Sequence, residues 1–139
     1  MRTKIKPLDG DDGKFVAETI TAHEEWYGKN GLTDCIHAHF YGVYDESDSI
    51  VAFFAMCSWC NMKECVLACV YVKEECRSQG IFRKIVNFVK NKAYEYPYIV
   101  IGAKRDNLLA NAIYSKMFKF ANYDQEEDGN FYIIKEPKK

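Results

Sequence analysis

Apolar positions along this chain switch between a period of two and a period of about 3.6 residues, and each switch marks an element. Residues 2 to 8 alternate and predict a short strand, ended by Pro7 and the turn-rich Asp9-Gly10-Asp11-Asp12-Gly13. Lys14 to Tyr27 predicts a helix, with Phe15, Thr19 or Ile20, Ala22 and Trp26 roughly on one side and Gly28-Lys29-Asn30-Gly31 as its stop. Thr33 to Ala38 follows neither period. Phe40 to Tyr44 and Ile50 to Met56 predict two strands joined by the polar loop 45–49. Beyond the turn at residues 61–64, the continuous run Cys65 to Val72 is rich in β-branched residues and predicts a buried strand. The charged turn 73–80 leads straight into Ile81, Ile85, Val86 and Val89, the apolar stripe of a helix running to about Tyr94. Tyr98 to Ala103 is a further buried strand. Leu108 to Phe118 is a second helix capped by Asp106 or Asn107, and residues 121–126 and 130–135 form a last pair of strands around Asp128-Gly129.

This order predicts an α/β fold, a twisted sheet with helices on both sides, in which the strand before Lys73 and the strand from Tyr98 run parallel through a helical crossover. Ligands in such sheets sit beyond the carboxyl ends of the parallel strands. The junction at residues 72–81 has its own chemistry. The first amide N–H groups of a helix lack intrahelical partners and the dipole adds positive potential, so a strand, a glycine turn and a helix in direct succession suit a phosphate or pyrophosphate.

The 139 residues, 48% of them hydrophobic, fit one domain spanning 1–139 with a real core. A net charge of −1 offers no global field for nucleic acid or anionic lipid. No apolar run has the length of a bilayer span or a signal peptide, so a cytoplasmic protein is expected, with its six cysteines as reduced thiols. Cys57-Ser58-Trp59-Cys60 has the gap of a zinc half-site, but residues three apart on a strand face opposite ways, and no metal is expected.

Val72-Lys73-Glu74-Glu75-Cys76-Arg77-Ser78-Gln79-Gly80-Ile81 resembles the cofactor signature of the GCN5-related N-acetyltransferases (GNAT family), (Gln or Arg)-x-x-Gly-x-(Gly or Ala) after a strand. Asn107-Leu108-Leu109-Ala110-Asn111-Ala112-Ile113-Tyr114 resembles that family's second signature, an Asn, an Ala three later and a Tyr four after that. The two stand in the family's order, and the predicted elements from residue 37 onward agree with it. Two positions depart: Phe82 stands where the family has a small residue, and Phe118-Lys119-Phe120 replaces a Gly-Phe pair, so the helix must stop without glycine.

The resemblance implies a GNAT-like fold, a mixed, mostly antiparallel twisted sheet flanked by helices, and transfer of an acetyl group from acetyl-coenzyme A to a primary amine in a ternary complex. It implies that main-chain groups of Val70, Tyr71 and Val72 pair with the pantetheine arm as an added strand. Amides of Arg77, Ser78, Gln79, Gly80, Ile81 and Phe82 would hold the pyrophosphate, and Asn107 would anchor the pantetheine. Tyr114 would be the general acid at the departing thiolate. For the base, Glu64 stands near the start of the central strand, two residues before the family's register, and His37 and His39 are the alternative. The implied partner is an amine-bearing small molecule or protein, with a homodimer common in the family and neither nucleic acid nor membrane expected. The other reading is a catalytically silent binding protein on the same fold, favoured by Phe82.

Overall fold

Tyr44 shows how the first elements lock together. In the computed structural model, which describes residues 2–27, 39–58, 64–92, 96–121 and 129–136, its ring is fully buried. Its hydroxyl accepts from the Asp9 N–H (3.0 Å) and donates to Asp12 Oδ2 (2.8 Å), tying the 3-10 turn Gly10–Asp12 to the sheet. Strand β1 (Lys4–Pro7) leads through that turn into helix α1 (Gly13–Ala22) and the short α2 (Glu24–Tyr27). The single helix expected over residues 14–27 is thus two. His23 leaves the helical region at φ −114°, ψ 47°, and the chain turns there so that Trp26 and Tyr27 reach the sheet.

Strands β2 (His39–Tyr44), β3 (Ile50–Ser58) and β4 (Glu64–Val72) form an antiparallel meander. Helix α3 (Ile81–Lys92) crosses to β5 (Tyr98–Lys104), which lies parallel to β4, and helix α4 (Leu108–Met117) follows. The final hairpin is β6 (Lys119–Ala121) and β7 (Gly129–Lys135). Its first strand begins two residues earlier than expected and its 3 described residues precede the segment 122–128, which lies outside the described residues, as does 33–38. Among the described residues seven strands stand in the order β1-β2-β3-β4-β5-β7-β6, and only β4 and β5 are parallel.

Alternation along the strands divides the core in two. Val43, Phe54, Leu67 and Ile101 face the stripe Ile81, Ile85, Val86 and Val89 of α3, the residues whose spacing marked that helix. Tyr44 and Phe53 turn the other way, onto Val16 and Ile20 of α1, with Phe15, Cys69 and Tyr71 packed alongside. Helices therefore cover both faces of the sheet.

Candidate active site

The parallel ladder is short. It pairs Glu64, Cys65, Val66 and Leu67 with Tyr98, Ile99, Val100 and Ile101, and stops there, although both strands continue. The cause lies in β4: Ala55 pairs with Ala68 and Phe53 with Tyr71, so Cys69 and Val70 together oppose Phe54. This is a β-bulge with its first residue in the left-handed region, Cys69 at φ 51°. That conformation costs a non-glycine residue about 1–2 kcal/mol, and it swings the end of β4 away from β5.

The opening is one wall of a cavity of about 560 Å³, within the range of small-molecule sites. Leu67 and Ile101 form its floor, and Cys69 to Val72 of β4 face Gly102 and Ala103 of β5 across it. Gly102 lacks a side chain because a Cβ there would lie 2.9 Å from the Phe131 ring. Trp26 and Tyr27 of α2, and Asn107, Ala110 and Tyr114 at the start of α4 and along it, complete its lining.

The turn into α3 contributes donors. Cys76 and Arg77 N–H groups bond back to Lys73 and Glu74, and the next capped amide is that of Lys84, on Gly80 O. Between them the N–H groups of Ser78 through Arg83 have no acceptor among the described residues. Ser78 (φ 66°) and Gly80 (φ 77°) both lie in the left-handed region, which folds these amides into a concave nest. The first turn of α3 carries Arg83 and Lys84 and no acid, against the preference of the helix dipole, so these side chains add to the positive potential of the amides.

Phe82 does not close it. Its ring turns inward and stacks on Tyr114 (centroids 5.7 Å, planes 24° apart) and meets Phe118 edge-on at 6.5 Å. The same aromatic packing supplies the helix stop that glycine would have given. Phe118 is extended at φ −133°, ψ 156°, and its N–H closes α4 on Tyr114 O at 2.8 Å.

Tyr114 is half-buried, its hydroxyl has no partner among the described residues, and it opens on the cavity. Burial pushes its pKa up to about 12, so the phenol keeps its proton at neutral pH. Asn107 spends its side chain as the α4 N-cap, accepting from the Ala110 N–H at 3.2 Å. Tyr27 donates to Val70 O at 2.8 Å; burial first, then the neighbouring Cys69, Tyr114 and Tyr71, raises its pKa well above the ordinary value. Arg77 folds back along the strand, Nε donating to Val72 O at 2.9 Å, with its guanidinium 5.7 Å from the Tyr71 ring centroid.

Of the residues singled out from sequence, Val70, Tyr71, Val72, Arg77, Ser78, Gly80, Ile81, Phe82, Asn107 and Tyr114 meet around this one cavity, and the exposed Gln79 stands outside its lining. Glu64 opens β4 opposite Tyr98; its side chain and all of His37 lie outside the described residues. His39 is exposed at the start of β2, opposite Met56, away from the cavity. Of the zinc half-site, Cys57 is half-exposed and Cys60 lies outside the described residues, among which no three potential metal ligands cluster.

Trp26, Tyr27, Cys69 and Asn111 are not among the coenzyme-site residues expected from the sequence. Asn111 donates to Asn107 O (2.8 Å) and Lys104 O (2.9 Å), while its Oδ1 accepts from Tyr132 Oη (2.7 Å) and Asn130 Nδ2 (3.0 Å). It fastens the start of α4 to β7. An asparagine in a helix interior, where its propensity is poor, was the available signal.

A model of the acetyltransferase (GNAT) family matches residues 10–120. No curated protein is similar enough in sequence to match the chain. Among solved structures, a GNAT acetyltransferase from Staphylococcus aureus Mu50 superposes with a TM-score of 0.70 at 14% identity, covering 96% of this chain and 100% of that one. A GNAT acetyltransferase from Elizabethkingia anophelis, solved with acetyl-CoA bound, gives 0.69 at 15% identity, covering 94% of each chain. The PaiA N-acetyltransferase of Thermoplasma acidophilum, in complex with coenzyme A, gives 0.69 at 16% identity, covering 98% of this chain and 99% of that one. At such identities the likeness is one of fold.

Proposed function

The chain belongs to the GNAT acetyltransferase family, and on that footing we propose that it moves an acetyl group from acetyl-coenzyme A to a primary amine by direct attack in a ternary complex. One observation carries this reading: the opened edge of β4 runs into a nest of unpartnered amides at the start of α3, and Tyr114 looks into the space between. The donor set suits the coenzyme, whose pyrophosphate and amide carbonyls are acceptors.

The amides of Ser78 to Phe82 hold the pyrophosphate, with Arg77, Arg83 and Lys84 adding positive potential. Main-chain groups of Val70 and Val72 align the pantetheine arm as an added strand. Asn107 acts through the cap that fixes the first turn of α4 against the opening. Bound there, acetyl-coenzyme A supplies the activated acyl group.

Tyr114 serves the departing sulfur. An ordinary thiol has a pKa near 8.5, far below the value of about 12 at Tyr114. Full proton transfer from the phenol would therefore be uphill, and the hydroxyl stabilises the thiolate by donating a hydrogen bond. Of the sequence-derived bases, Glu64 starts three residues before the cavity floor at Leu67, about 10 Å along the strand, so it would take the amine's proton through bridging water. The acceptor is an amine-bearing small molecule or protein.

Thermal unfolding with acetyl-coenzyme A tests the reading. A binder gains RT ln(1 + [L]/Kd), and release of free thiol on addition of an amine panel then reports transfer. No stabilisation at millimolar acetyl-coenzyme A would leave the fold without this function.

A further inference from the structure

The carbonyls of Val70 and Val72 face the opening, and side chains already hold both. The Lys73 N–H donates to Val51 O, and Val72 pairs with Ala52 and Tyr71 with Phe53. In an antiparallel ladder, alternate residues turn their main-chain groups to opposite sides. Residues 71 and 73 thus address β3, and residues 70 and 72 address the space that β5 has left. There Tyr27 donates to Val70 O at 2.8 Å and Arg77 Nε to Val72 O at 2.9 Å. Two protein donors sit on alternate carbonyls, as the N–H groups of a neighbouring strand would.

We propose that Tyr27 is a displaceable cap and a selectivity residue of the coenzyme site: its hydroxyl stands in at Val70 O for an amide N–H of the ligand, as Arg77 does at Val72 O. The inference rests on the acetyl-coenzyme A reading above. A ligand takes this edge of β4 by replacing the two donors with its own, and a pantetheine arm carries two amide N–H groups in series. Exchange of one hydrogen bond for another is nearly neutral, so the caps discriminate. A ligand lacking such donors leaves them in place, and one that carries them must compete with the phenol. Tyr27 is suited to stand aside: it ends the four-residue α2, whose preceding residue His23 has already left the helix, and its ring packs on the sheet beside Cys69 and Tyr71.

Calorimetric titration of wild type and Tyr27→Phe, with coenzyme A and with adenosine 3′,5′-bisphosphate, tests the cap. The second ligand carries phosphates and no amides. The variant should bind coenzyme A about three- to tenfold more tightly, the worth of one net hydrogen bond, and bind the bisphosphate within about twofold of wild type, as the exchange argument requires. Unchanged or weaker coenzyme A binding by the variant overturns the cap, as does an equal gain for both ligands. Failure of the wild type to bind coenzyme A sinks the acetyl-coenzyme A reading and the cap with it; wild-type binding without the variant's gain sinks the cap alone. Should Tyr27→Phe not fold, ring-labelled tyrosine in the wild type replaces it. The Tyr27 Cζ resonance should move on saturation with coenzyme A and hold still with the bisphosphate, and an unmoved resonance under coenzyme A overturns the proposal.

Discussion

Phe82 lies against Tyr114 with ring centroids 5.7 Å apart, placing the residue that departs from the family's small-residue position on the tyrosine of its second signature. Burial lifts the Tyr114 pKa, and the Phe82 ring is one of the aromatic neighbours that bury it, with Phe118 and Tyr132. Phe82→Ala should cost about 2 kcal/mol in urea unfolding, below the range for a fully buried phenylalanine. It should also bring the Tyr114 pKa back toward 10, read from tyrosinate absorbance. Pyrophosphate binding should change little, because alanine keeps the amide.

Tyr114→Phe removes one oxygen and no packing. Turnover should fall on the order of 10²-fold, while acetyl-coenzyme A affinity stays within experimental error in calorimetry. Equal turnover in the variant would take Tyr114 out of the reaction.

Asn111→Ala leaves Tyr132 Oη and Asn130 Nδ2 without their acceptor, while Asn107 O and Lys104 O lose one donor each and keep the main-chain N–H groups of Asn111 and Asn107. Each half-buried group left unpaired costs about 1–3 kcal/mol unless water reaches it, so a loss of about 2–4 kcal/mol in chemical denaturation is expected. Asn107→Ala, losing only the cap, should cost about 1 kcal/mol.

Alkali should unfold the protein through its enclosed tyrosines. Burial raises Tyr44 and Tyr114 to about 12 and Cys65 to about 11, and raises Tyr27 further. In the unfolded chain the tyrosines titrate near 10 and the thiol near 9. The folded state thus binds these protons more tightly, and the stability tied to them is complete below pH 9, then lost as pH climbs through 12. Circular dichroism and absorbance at alkaline pH should change together; free titration of all tyrosines near pH 10 in a still-folded protein would contradict this.

Helix α3 and strands β3, β4 and β5 were legible because burial imposes a period. Ile81, Ile85, Val86 and Val89 must share a face, and Cys65 to Val72 had to be apolar in a strand covered on both sides. Asn107 and Tyr114 were picked out by the resemblance to the family's second signature, and the fold brings both to the lining of one cavity. The break at His23 and the start of β6 at Lys119 were not legible, because a helix leaves off where packing turns it, and a 3-residue strand carries too few positions to show a period.

The sequence by itself determined the alternation of elements and the composition of the strand, turn and helix where an anion can sit, because those follow from local sterics and from which side chains avoid water. Only the tertiary structure decided that the site has an opening. The bulge at Cys69 has no glycine to announce it, and the Tyr27 hydroxyl meets the Val70 carbonyl across 43 residues of chain. A hydrogen bond of that span depends on where two distant segments come to rest, which no local period encodes.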